Sequence, residues 1–256
     1  MDTSTSATPR SPRAPWSGTV RRSGGPGDTV RRHPAPAPVG DPGRRAPVVL
    51  ALGLVIGLAW GAATSGLQTL LPTSGLANAV GPWVVPAFVV GALSRRPWVA
   101  VAAGVLACSG EVAGYYLVSA ARGFGVNPSM VAVWACAGLV GGTVFGAAGW
   151  CWRRATTVRA GALGAALLGG VFLAEGVVQY GLILRYPGNA VLFCVIGALL
   201  AVVLGAGSPA ARAAGARGRG VGAAAIWLLV VLALGAAGVA GMHELMSSPA
   251  GSGNGA

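Results

Sequence analysis

The chain has 256 residues, of which 54% are hydrophobic and only 9% are charged, and this composition excludes an ordinary soluble domain. A net charge of +12 would suit a nucleic-acid partner, but the basic residues lie in an N-terminal tail and in short gaps between apolar stretches. That placement is typical of membrane topology and argues against nucleic-acid binding.

The N-terminal tail, residues 1–46, is rich in Pro, Gly, Ser, Thr and Arg and contains a near repeat at 19–22 and 29–32. Such a segment cannot bury a core, so we expect it to be disordered. It either holds a basic surface near anionic lipid or is simply a solvated tail. The sequence leaves both interpretations open.

Seven long apolar stretches follow the tail. Each has about the 17 to 25 residues that a helix needs to cross ~30 Å of hydrocarbon. A helix is the expected state, because an open strand would leave backbone groups unpaired in lipid. We therefore predict an all-α, polytopic transmembrane helix bundle over residues 47–241 and a short flexible tail at 242–256. The predicted spans are 47–70, 76–94, 97–120, 129–152, 160–184, 189–207 and 221–241.

Arginines occupy almost only every second gap between these spans. Twelve lie near the spans on one side and two on the other. Since arginine is retained on the cytoplasmic side, we predict a cytoplasmic N-terminus and an external C-terminus. The twelve are Arg31, Arg32, Arg44, Arg45, Arg95, Arg96, Arg153, Arg154, Arg159, Arg212, Arg217 and Arg219; the two are Arg122 and Arg185.

Small residues recur at spacing four on three spans. This pattern predicts ridges that let helix backbones approach closely in lipid. The ridges are Gly53, Gly57, Gly61 and Ser65 on the first span, Gly138, Gly142 and Gly146 on the fourth, and Gly197, Ala201 and Gly205 on the sixth.

The second span carries two prolines, Pro82 and Pro86. A proline inside a helix removes a hydrogen bond and kinks it, so the span could be a broken helix whose free backbone groups face a cavity. Alternatively, Pro82 simply lies in the first turn, where its missing N–H costs nothing. Both alternatives stay open.

Two carboxyls lie deep in apolar spans, Glu111 on the third and Glu175 on the fifth. An ionisable group near the bilayer centre costs roughly 2.5 to 3.5 kcal/mol on insertion scales, so both should face the bundle interior and pair or become neutral. We predict a proton or ligand site around them, unless they only bond to neighbouring helices. Its candidate residues are Glu111, Glu175, Tyr115, Tyr116, Gln179 and Tyr180.

The surroundings of the two carboxyls are similar. Glu111 precedes Tyr116 by five residues and Arg122 follows, while Glu175 precedes Tyr180 by five and Arg185 follows. This similarity is either a parallel duplication of a helix hairpin or a coincidence in an apolar background.

Four segments carry a resemblance to a known family: LANAVGPW at 76–83, RRP at 95–97, EVAGYYL at 111–117 and FGAAGW at 145–150. Together they resemble an uncharacterised family of actinobacterial integral membrane proteins, known only as a domain of unknown function. The absence of lysine among eighteen basic residues suits a GC-rich genome of that kind. In architecture alone the chain is similar to the substrate-binding subunits of energy-coupling-factor vitamin transporters, which usually have six spans.

No catalytic or nucleotide-binding motif occurs, so we expect neither an enzyme nor a bound cofactor or metal. Cys108, Cys136, Cys151 and Cys194 lack metal-type spacing and should pack as small apolar residues. The leading hypothesis is a small-molecule transporter of the bacterial plasma membrane, or the membrane subunit of one. The alternative is a non-transporting membrane scaffold or an envelope-associated interaction protein, which would contact a membrane-protein partner or a second copy of the chain.

The predicted topology can be tested with a reporter that is active only outside the cell. Fused to Ala256, the reporter should give signal, because the arginine-rich gaps hold the opposite face in the cytoplasm. The same reporter inserted after Arg154 should be silent. A well-expressed C-terminal fusion without signal would contradict the seven-span topology.

Overall fold

The computed structural model describes residues 45–70 and 75–247, and these segments are helical apart from short connections. Gly75–Asn78 forms a 3₁₀ turn, and Glu175–Ile183 continues the fifth helix as a π-helix. The α-helices are α1 Arg45–Leu70, α2 Val80–Leu93, α3 Pro97–Ala121, α4 Pro128–Arg154, α5 Val158–Ala174, α6 Pro187–Gly207, α7 Pro209–Ala213 and α8 Arg217–Ser247.

Six helices of the described segments are long and apolar enough to cross a membrane, and α2 is a shorter apolar helix. The six are α1, α3, α4, α5 with its π-helical continuation, α6 and α8. The predicted all-α polytopic bundle is therefore confirmed.

The ends of the bundle differ slightly from the predicted boundaries. The predicted tail lies outside the described residues except for its last two, which open α1 at Arg45. At the other end, α8 continues to Ser247, past the predicted end of the span at 241, and residues 248–256 lie outside the described part.

The second span is a broken helix. The 3₁₀ turn rises about 8 Å and the 14 residues of α2 about 21 Å, so only the two together approach the ~30 Å of a bilayer core. Pro82 is the third residue of α2 and Pro86 lies inside it. Pro82 thus lies in the first turn of α2, as the second alternative predicted, and the interruption lies at Ala79, before the helix, rather than at either proline.

Proline and polar side chains mark where the other helices begin. A proline occupies the first turn of α3, α4, α6 and α7, where no intrahelical N–H bond is lost. The Asn127 side chain accepts hydrogen bonds from the backbone of Ser129 and Met130, and Thr157 caps α5 in the same way. These signals explain why the predicted boundaries lie close to the observed ones.

Helix α3 lies between α1 and α4, while α2 packs against α3, α4 and α5. Helices α6 and α8 also pack against α5 and against each other. The α2–α4–α5–α6 contact forms the larger apolar core, which contains Phe88, Phe172 and Phe193. The N-terminal end of α2 is partly buried, since Ala79 is 1% exposed and Val80 is 45% exposed.

The glycine ridge of α1 lies directly against the backbone of α3. Its members Gly53, Gly57 and Gly61 face the backbone of Ala103, Ala107 and Glu111 in that order, so α1 and α3 run parallel. A Cβ added at any of the three glycines would collide with a carbonyl oxygen of α3. This contact fixes the backbone position of Glu111.

The other two ridges serve similar contacts. Gly142 and Gly146 of α4 face Gly104 and Ala100 of α3, and Gly197 of α6 faces Gly169 of α5. Gly138 is less crowded, because an added Cβ would lie 3.4 Å from the Cys108 Cβ atom.

The arginine-rich gaps that follow α2 and α4 meet at one end of the bundle. The Arg154 side chain donates to the backbone oxygen of Ser94, and the Trp150 indole donates to that of Arg95, both at 3.4 Å. Arg122, which ends α3, lies at the opposite end. Which end of the bundle faces the cytoplasm stays a prediction from the arginine pattern.

Substituting Gly142 by leucine should destabilise the bundle, because an added Cβ would lie 2.6 Å from Gly104 O and the α3 backbone cannot yield as a side chain can. We expect a loss of about 1–3 kcal/mol or failure to fold. Thermal unfolding in detergent measures it. Gly222→Leu on α8 is the control, because nothing lies within 4 Å of its added Cβ. Equal stability of the two variants would contradict the packing argument.

Candidate functional site

The N-terminal end of α2 is bound by the carboxylate of Glu175. The backbone N–H groups of Val80 and Gly81 donate to Glu175 Oε1 at 2.7 Å and Oε2 at 2.8 Å. The third residue, Pro82, has no N–H to satisfy. A carboxylate is well suited to this place, because a helix N-terminus carries unpaired donors and partial positive charge.

The π-helix brings Tyr180 to the same break. Its hydroxyl donates to the backbone oxygen of Gly75 at 2.9 Å, and its ring lies 4.8 Å from that of Phe193. Because π-helical hydrogen bonds join residues five apart, Glu175 and Tyr180 lie one above the other. Together they hold the chain on both sides of the interruption, at Gly75 and at Val80–Gly81.

The turn that follows the π-helix contains a residue with an unusual backbone conformation. Arg185 has a φ of 57°, a conformation that few residues other than glycine adopt. The turn lets the N–H of Tyr186 reach the oxygen of Tyr180 at 2.8 Å, and the N–H of Leu184 bonds to Gln179 O at 2.8 Å. This closure resembles the left-handed caps of ordinary helices.

Glu111 lines a separate cavity of about 220 Å³ on the other side of the α2 N-terminus. The side chain is only 1% exposed, and its Oε1 atom has no hydrogen-bond partner among the described residues. The cavity lies between the end of α1, the start of α2, α3 and α4. Its walls are Gln68, Ala77, Ala79, Val80, Trp83, Val84, Cys108, Glu111, Val112, Tyr115, Tyr116, Trp134, Ala137, Gly138 and Gly141.

Aromatic rings cover one side of this cavity. The ring of Trp83 lies 5.6 Å from that of Tyr115 and 6.4 Å from that of Trp134. Tyr116 packs edge-on against Tyr115 at 5.2 Å, and the Tyr115 hydroxyl donates to Gln68 Oε1 at 3.0 Å. The buried carboxyl of Glu111 therefore shares its cavity with four aromatic side chains.

A polar outer pocket adjoins the cavity. It shares Gln68, Tyr115 and Tyr116 with the cavity, and Ser65, Ser119, Arg122, Phe124 and Gly125 complete its lining. Arg122 donates to the backbone oxygen of Ser65, and its guanidinium lies 5.0 Å from the centre of the Phe124 ring. The Ser65 and Ser119 hydroxyls bond at 2.9 Å.

The structure thus separates the residues that the sequence grouped. Glu111, Tyr115 and Tyr116 line the cavity, whereas Glu175 and Tyr180 brace the break before α2. Gln179 is half-buried on the π-helix and lines neither pocket.

Sequence reasoning missed the backbone donors of Val80 and Gly81 and the wall residues Trp83 and Trp134. A backbone N–H group cannot be recognised as a binding group from the residue type, although the two prolines of the second span did point to this region. Tryptophans near a span end resemble an interfacial belt, so their sequence position could not reveal the cavity.

A metal site finds little support in the described part of the chain. There, no three residues of the types His, Cys, Asp and Glu come together as a metal would require. The four cysteines are free thiols, and Cys108 is buried beside Glu111 in the cavity wall.

Glu175→Gln should lower the stability of the bundle. A glutamine amide replaces one acceptor oxygen with a donor that faces the N–H groups of Val80 and Gly81. We expect a loss of about 1–2 kcal/mol in the free energy of unfolding. Chemical or thermal denaturation in detergent measures it.

Glu111→Gln is the matched control, because it changes the same group at a similarly buried position where Oε1 makes no hydrogen bond. This variant should unfold at or above the wild-type midpoint. If the two variants lost the same stability, the bracing role of Glu175 would be wrong.

No curated protein and no solved structure matches the chain. One family matches, described as a family of unknown function (DUF6518), and the match covers residues 40–245. It includes all the helices named above from α1 to α7 and nearly all of α8, so the chain belongs to the family DUF6518.

Proposed function

We propose that the protein is a small-molecule transporter of the bacterial plasma membrane, or the membrane subunit of one, and that Glu111 is its proton- or ligand-binding group. The observation that supports this most is the Glu111 Oε1 atom, which is buried against a cavity and makes no hydrogen bond within the described segments.

Energetics favour a functional role for this carboxyl over a structural one. A buried polar atom without a partner costs about 1–3 kcal/mol, and more when it is charged. Glu175 shows how the same bundle satisfies a structural carboxyl, with one backbone donor to each oxygen. Glu111 lacks such donors at Oε1, so a proton or a ligand from the cavity is the partner that would offset its burial.

The surrounding architecture also suits transport. Transporters commonly place their sites at interrupted helices, where free backbone groups are available inside the membrane. Here the chain is interrupted at Ala79, beside the cavity, with Glu175 bound to the N–H groups of Val80 and Gly81, and the outer pocket adjoins the cavity through Gln68, Tyr115 and Tyr116. Movement of this shared wall would connect Glu111 to one membrane face.

The proposal can be tested by proton flux in proteoliposomes under an imposed potential. Wild-type protein should carry protons above the level of empty vesicles, and Glu111→Gln should abolish the excess, because the amide keeps the shape but cannot titrate. Cys136→Ser, on an exposed face of α4, is the control and should retain full flux.

Two results would count against the proposal. Equal flux in wild type and Glu111→Gln would remove this carboxyl from the mechanism. Proton flux no higher than in empty vesicles would refute the proton-binding role of Glu111 and favour the scaffold function, which needs the glycine contacts and gives this carboxyl no role.

A further inference from the structure

We infer that the cavity around Glu111 binds a small organic cation, with the positively charged ammonium group between the carboxylate and the aromatic wall. As a substrate assignment this rests on the proposed function, but binding of the cation can be measured without transport.

The charges around the cavity favour a cation. Glu111 is the one carboxylic acid in its lining, and none of the described lining residues is basic. Arg122 lines the outer pocket instead, where its guanidinium is occupied by the Ser65 carbonyl oxygen and the Phe124 ring. A ligand anion would meet the carboxylate with no cation to offset the repulsion, so an anionic ligand is disfavoured.

The aromatic wall favours an organic cation over a metal ion. Faces of tryptophan and tyrosine attract ammonium groups within about 6 Å of the ring centre, and aromatic cages of this kind recognise quaternary ammonium. Trp83, Trp134, Tyr115 and Tyr116 supply four such rings beside Glu111. Hard metal ions instead require about six or more oxygen ligands, which a single carboxyl among rings does not provide.

The size of the cavity and its other lining residues limit the size and polarity of the ligand. A volume of about 220 Å³ is smaller than the ~300–1,000 Å³ of sites for drug-sized molecules. Ala77, Val84 and Ala137 add apolar groups that suit methyl or methylene carbons, and Gln68 adds one polar amide. The ligand class is therefore a compact ammonium compound with few other polar atoms.

Equilibrium binding of tetramethylammonium and of choline to the full chain in nanodiscs tests the inference, with calorimetry as the measurement. Both cations should bind saturably. The neutral carbon analogue of choline, 3,3-dimethyl-1-butanol, should bind at least about 10-fold more weakly, because it fills the same space without the charge.

Three variants assign the binding to this cavity. Glu111→Gln should weaken binding of the cations about 30-fold or more, since it removes the buried counter-charge. Trp83→Leu should weaken it about 2- to 30-fold through loss of one ring face. Trp98→Leu is the matched control: Trp98 is 56% exposed at the start of α3, outside the cavity, so its replacement should leave binding unchanged.

Each outcome decides a separate point. The absence of saturable binding by a folded protein, or equal binding to Glu111→Gln and wild type, would overturn the cation inference. Equal binding of the neutral analogue would overturn it as well. Cation binding without proton flux in proteoliposomes would leave the inference standing and refute proton transport by Glu111, whereas proton flux without cation binding would overturn the inference and support that transport.

Discussion

The need to pair backbone N–H groups inside an apolar bundle governs the centre of this protein. Helix α2 begins beside the buried residues Ala79 and Gly81, in apolar surroundings where an unsatisfied N–H group would cost several kcal/mol. Glu175 meets this need with one carboxylate oxygen for each donor, at Val80 and Gly81. The interruption before α2, the π-helix that presents Glu175 and the cavity beside the break all depend on this pairing.

Close backbone contacts give Glu111 an environment different from that of Glu175. Gly61 of α1 lies against the backbone of Glu111, and Gly142 of α4 holds α3 from another side two turns away, near Gly104 and Val105. Between these contacts the Glu111 side chain faces the cavity, which Trp83 and Trp134 also line. The helices are therefore closely packed around a small cavity. The glycines that allow this close packing also determine where the cavity lies.

The two carboxyls differ because their helices differ locally. Both precede a tyrosine by five residues, but α3 stays α-helical, so Glu111 shares a face with Tyr115 at spacing four. The segment after Glu175 is π-helical, so Glu175 shares a face with Tyr180 at spacing five. A common sequence pattern therefore leads to two arrangements, a residue lining a cavity and a residue bracing a helix, and hairpin duplication remains a hypothesis.

The sequence by itself determined the helical bundle, the approximate span ends and the glycine faces, because hydrophobic length, proline at helix starts and spacing-four ridges are local signals. It also singled out both carboxyls, since charge is rare in apolar spans. Only the tertiary structure decided that Glu175 caps α2 while Glu111 faces a cavity. Those roles depend on backbone donors 94 and 95 residues away along the chain and on side chains from three other segments, and no local pattern specifies which distant groups will meet.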